Sequence, residues 1–153
     1  MKLGDVLRKE REKKGASVDE AATKLQVDSK TYEDMEGGNS DAERWGPLLA
    51  EFAIRLETPT SRLISETGRS DDYEENGCGK LIRHHRERRE KSVEDMAEGL
   101  ELSQEEYQQV EAGESPLEQQ APRLLRFAEL IEQPIFNLFY PCGLPFQELD
   151  DYP

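Results

Sequence analysis

The sequence predicts an all-α protein built from two tandem five-helix units, joined by an acidic linker and followed by an extended tail. Two observations carry this prediction. A segment that reads as two short helices broken by a tight turn, SVDEAATKLQVDSKTYEDMEGG from Ser17 to Gly38, recurs 75 residues later as SVEDMAEGLELSQEEYQQVEAG from Ser92 to Gly113. Apolar residues around both copies fall at helical spacing, with glycine or proline at the expected ends. The implied boundaries are 1–66 for the first unit, 67–77 for the linker, 78–140 for the second unit and 141–153 for the tail.

Residues 3–14, LGDVLRKEREKK, form the leading helix, with Val6 and Leu7 inward and cations near its C-terminal end, where the helix dipole is negative. Ser17 caps the second helix, and Glu20 three residues on completes a capping box. Ala21, Ala22 and Leu25 make one inward stripe, small enough for another helix to approach closely. Asp28 caps the third helix, Tyr32 and Met35 point inward, and Gly37-Gly38 closes it. Residues 39–46 are expected to be a loop carrying Trp45, the sole tryptophan, as a lid over the core. Pro47 opens a fourth helix to about Glu57, since proline at the first helical position lacks only an amide that would be unpaired there. A short fifth helix follows Pro59.

The polar, acidic, glycine-bounded stretch 65–77 has the composition of an exposed linker. The second unit opens on the most cationic stretch of the chain, KLIRHHRERREK, in which adjacent His84 and His85 diverge by about 100° and cannot chelate one metal together. Ser92 and Ser103 cap its next two helices, with Met96, Ala97, Leu100, Tyr107 and Val110 inward. Its fourth helix runs from Pro122 to Glu132 and its fifth from Pro134 to Tyr140. The fifth is more apolar than its counterpart, which suggests burial against the first unit, another copy of the chain or a partner. The tail, with Phe146 and Leu149 amid acids, is expected to be an arm that packs back or reaches across a homodimer.

Composition excludes several classes. No apolar run approaches the roughly 18 residues a membrane span needs, so no membrane partner is expected. Cys78 and Cys142 are too few and too far apart for a disulfide framework, which suits a reduced cytoplasmic setting. No catalytic constellation, glycine-rich phosphate loop or ligand cluster is visible, so the chain is expected to be no enzyme and to need no metal or cofactor.

In these residues the chain resembles the lambda-repressor-like, Xre-type helix-turn-helix family, and does so in both halves. The resemblance rests on Arg8-x-x-Arg11 and Arg83-x-x-Arg86, the Ser-x-x-x-x-Ala runs, the buried residue after each turn, and Glu36-Gly37-Gly38 and Glu111-Ala112-Gly113. It implies structural ion pairs Arg11–Glu36 and Arg86–Glu111. It also implies a sequence-specific regulator that binds double-stranded DNA, the third helix of each unit entering the major groove. The DNA-facing residues would be Ser17, Ser29, Lys30, Thr31 and Asp34 in one unit and Ser92, Gln104, Glu105 and Gln109 in the other.

Charge pulls the other way. The chain carries 34 acidic residues against 20 basic ones, a net charge of −14, and neither unit, nor the linker, nor the tail is basic overall. Phosphate neutralisation supplies much of the affinity in ordinary protein–DNA complexes. The alternative expectation is therefore a helix-turn-helix scaffold that has lost DNA binding and acts through protein contacts, with acidic faces as docking surfaces.

Overall fold

A computed structural model describes residues 1–144; the expected arm containing Phe146 and Leu149 lies outside the described residues. The described chain is helical with no strand. Its helices are α1 (Leu3–Lys14), α2 (Val18–Leu25), α3 (Ser29–Glu36), α4 (Ala42–Leu56), α5 (Gly77–Arg88), α6 (Val93–Gly99), α7 (Gln104–Ala112) and α8 (Pro116–Ile131). No helix among the described residues is long and apolar enough to cross a membrane.

Local chemistry places most of these boundaries as expected. Ser17 accepts from the Glu20 amide while the Glu20 carboxylate accepts from the Ser17 amide, a complete capping box at α2. Asp28 caps α3 through the Thr31 amide at 2.7 Å, and Ser92 caps α6 through the Asp95 amide at 3.0 Å. Ser103 and Glu106 form a second full capping box at α7.

Three expectations need correction. The first is the start of α4, which lies at Ala42 and not at Pro47, so residues 42–46 are helical and Trp45 sits within the helix, 4% exposed. The second copy behaves alike: Ser115 caps α8 through the Leu117 amide, Pro116 opens it, and Pro122 lies inside. Burial of Ala42 and Trp45 in one copy, and of Leu117, Gln120 and Ala121 in the other, outweighs the single backbone hydrogen bond each inner proline forfeits. Second, the short fifth helices are 3-10 turns, Thr60–Leu63 and Ile135–Leu138.

The third correction concerns the linker, which is not a free extended strand. Residues 70–72 form a 3-10 turn, Ser70 is buried and its amide and hydroxyl both donate to Glu129 of α8. The Tyr73 hydroxyl donates to the Glu118 carboxylate. Composition suggests an exposed segment, but Ser70 and Tyr73 find carboxylate partners on α8, half-buried Glu129 and buried Glu118.

The two halves exchange aromatic contacts in both directions. The buried apolar residues of both halves form one continuous cluster, with α4 and α8 packed on each other at its centre. α8, from the second half, lies against α2, and its Phe127 stacks on Tyr32 of α3 with centroids 6.4 Å apart. At the positions 75 residues away, Phe52 of α4 stacks on Tyr107 of α7 at 5.9 Å. Each half therefore lends its longest helix to the core behind the other half's third helix. The apolar excess of Ile135, Phe136, Leu138 and Phe139 is buried within the chain, where the 3-10 turn contacts α1 and α8.

Candidate nucleic-acid interface

Each helix pair, α2–α3 and α6–α7, is fixed to its leading helix by the same device. Arg11 donates from Nε to Glu36 Oε2 at 2.7 Å and from Nη2 to Oε1 at 3.2 Å, while Nη1 reaches the Ala16 carbonyl at 3.0 Å. Arg86 repeats this with Glu111 at 2.6 and 3.1 Å and with the Lys91 carbonyl at 3.0 Å. A two-pronged guanidinium–carboxylate pair fixes orientation as well as distance. All four side chains are 10–13% exposed. The Glu36 and Glu111 bonds raise the pKa of Arg11 and Arg86 above the ordinary guanidinium value. Burial, with the neighbouring carboxylate second, pushes the phenols of Tyr32 and Tyr107 well above the usual tyrosine range, so both stay neutral beside the clamps.

Close backbone approach completes the attachment. A Cβ at Gly4 would lie 2.4 Å from the Glu36 carbonyl oxygen, and one at Gly79 would lie 2.4 Å from that of Val110. Only glycine allows α1 and α5 to sit this near the ends of α3 and α7.

The N-termini of α1 and α5 are capped from a distance by residues that sequence reasoning missed. Glu43 of α4 accepts from the amides of Leu3 at 2.9 Å and Gly4 at 3.1 Å. Glu118 of α8 accepts from those of Cys78 at 3.1 Å and Gly79 at 2.9 Å. A carboxylate suits the positive end of a helix dipole. The available signal was that Glu43 and Glu118 are themselves 75 positions apart in an otherwise divergent stretch.

With these supports in place, the outer sides of α3 and α7 stay open. On the first face Lys30 is 79% exposed at its side chain but bonded to Asp34 at 2.8 Å, and the Ser29 hydroxyl donates to Asp19 at 2.7 Å. Thr31 uses its amide on Asp28, and Ser17 uses its oxygen on α2. Polar groups here are largely satisfied internally. Asp34 raises the pKa of Lys30, which remains a cation.

The second face differs. Gln104, Glu105 and Gln109 are exposed along α7, as is Gln108, while Ser92 caps α6. Arg44 of α4 crosses from the first half to meet Glu106 at 3.1 Å, its guanidinium 4.8 Å above the Trp45 ring. The Ser103 amide, then Arg44, holds the Glu106 carboxyl below the usual range. Of the nine expected DNA-facing residues, the five of the first half gather around α2–α3 and the four of the second around α6–α7.

No protein-family model matches this chain, and no curated protein or solved structure matches it either.

Proposed function

We propose that the chain is a sequence-specific DNA-binding transcriptional regulator of the Xre-like helix-turn-helix type, two tandem lambda-repressor-like units acting as one molecule. The observation that carries this reading is the pair of capped, Arg–Glu-clamped helix-turn-helix units, each leaving the outer side of its third helix uncovered. Clamp, cap and glycine contact all stiffen the helix pair against the leading helix, and a rigid presenting scaffold is what base readout needs. On α7, Gln104 and Gln109 are suited to adenine edges, and on α3 Lys30 is suited to guanine or phosphate once released from Asp34. A shared core would hold two such faces in one chain without self-association.

Equilibrium binding to random and selected duplexes across a salt series tests this. A log–log slope of several units, with a preferred sequence, is expected. No binding at low salt overturns the reading.

A second reading is favoured by the acidity of the α6–α7 surface, where Glu94, Asp95, Glu98, Glu101 and Glu105 are exposed. Such a surface fits a basic protein partner better than a phosphate backbone. Under this reading the fold is a docking scaffold, and purified chain would bind a basic protein with salt-sensitive affinity while ignoring duplex DNA.

A further inference from the structure

Arg123 and Arg126 lie three residues apart on α8, and therefore on neighbouring positions of one helical face. Both are half-buried. Arg8, Arg11, Arg44, Arg83 and Arg86 are each held by a carboxylate. Among the described residues, Arg123 and Arg126 have neither a hydrogen-bond nor an ion-pair partner. Arg123 feels the Asp28 carboxylate only from beyond ion-pair distance, so these two neighbouring, half-buried guanidinium groups keep their donors uncommitted. Each repels the other, and burial followed by the charge of Arg126 lowers the pKa of Arg123.

Their location follows from the reciprocal packing. Glu129 of α8 meets Lys24, in the last turn of α2, at 3.3 Å, and Phe127 meets Tyr32 of α3. Moving back along α8 leads toward the turn between α2 and α3. Arg123 there feels the charge of Asp28, the α3 cap. Arg123 thus flanks the first helix-turn-helix, with Arg126 three residues on along the same face of α8, although both belong to the other half of the sequence.

The equivalent positions on α4, 75 residues earlier, are Leu48 and Glu51. Glu51 faces Glu101, and burial together with that like charge raises its pKa. Arg55, one turn further along α4, offsets part of that repulsion, so the second face carries two carboxylates and one guanidinium where the first carries two guanidinium groups.

We propose that Arg123 and Arg126 form a phosphodiester-binding pair that anchors a DNA duplex to the first helix-turn-helix face, while Glu51 and Glu101 deny the backbone the same hold on the second. This rests on the DNA-binding function proposed above and makes it asymmetric. Guanidinium forks match phosphate oxygens in geometry and charge, and an arriving phosphate relieves the repulsion between them. The basic footprint that net charge conceals is supplied to α2–α3 by α8.

The test uses the full chain, a labelled random-sequence duplex and a salt titration. R123Q/R126Q should weaken binding at low salt by about tenfold or more and reduce the log–log slope by about two units, one for each phosphate no longer neutralised. Its melting temperature should equal or exceed that of the wild type, since a repulsive pair is removed. R123K/R126K should keep the slope at reduced affinity. Wild-type binding with an unchanged slope in R123Q/R126Q overturns this inference alone, whereas no duplex binding by the wild type overturns both it and the proposed function. Displacement of the duplex by millimolar inorganic phosphate at constant ionic strength would assign the pair to a small phosphate ligand and overturn the duplex assignment.

Discussion

Phe127 lies stacked against Tyr32, their planes 16° apart, although one belongs to α8 of the second half and the other to α3 of the first. Phe52 and Tyr107 make the reverse exchange. Both phenylalanines and both tyrosines are fully buried. The core behind each exposed helix thus depends on the opposite half.

The first prediction is a single cooperative unfolding transition. Phe127→Ala or Phe52→Ala each leaves a cavity in the shared cluster and costs about 3–5 kcal/mol. Trp45 fluorescence and far-ultraviolet circular dichroism should lose signal at one common, lowered temperature in both variants. Two separated transitions would show that the halves melt alone.

Loss of a clamp gives the second. Arg11→Ala and Glu36→Ala should each destabilise by about 2 kcal/mol, because the surviving charge is left with most of its surface covered. The double variant should cost less than the sum of the two, by about 1–2 kcal/mol, and Arg86→Ala with Glu111→Ala should behave alike. Additive losses would mean no coupling.

Third, Glu118→Ala should cost more than Glu43→Ala, about 3 against about 1 kcal/mol. Both remove a remote helix cap, but Glu118 is only 9% exposed and also takes the Tyr73 hydroxyl, so its loss strands two buried amides, of Cys78 and Gly79, and a half-buried hydroxyl on the connecting segment. Denaturant midpoints of the two variants provide the comparison.

Acid gives the fourth. Burial, then the charges of Arg89, His84 and Arg88, depresses the His85 pKa from 6.5 to about 4. The unfolded chain therefore binds a proton that the folded chain refuses between these values, and stability falls as the pH drops from 6.5 toward 4. Asp28, Glu106 and Glu129 have lowered pKa values and lose their contribution further down, as pH falls through those values. Melting temperature against pH should show the upper decline in the wild type and a flatter course in His85→Gln.

Much of the local structure was written in the residues themselves. Ser17, Asp28, Ser92 and Ser103 marked helix starts because an oxygen before a helical run has one good use, and the inward stripes identified Tyr32, Met35, Tyr107 and Val110. The partner of each stripe was not legible. An apolar face on α4 states that it will be covered, not by which half, and the exchange with α8 depends on shape and chain connection. Pro47 and Pro122 misled for a related reason: proline is most at home at a helix start, yet burial of the preceding turns carried both helices past it. Lys30 could be counted as a cation, but its neutralisation by Asp34 only emerges once both occupy one helical face. The placement of Arg123 beside Asp28 was hidden because the two are far apart in sequence.

The reciprocal loan of α4 and α8 means that the molecule cannot be dissected by truncation. A fragment ending in the connecting segment keeps α4 but loses what α4 covers, and it leaves Tyr32 without its roof. Domain deletion, the usual way to ask which half does what, would report misfolding in both directions. Only point changes on the outer surfaces, made in the intact chain, can apportion labour between the two faces.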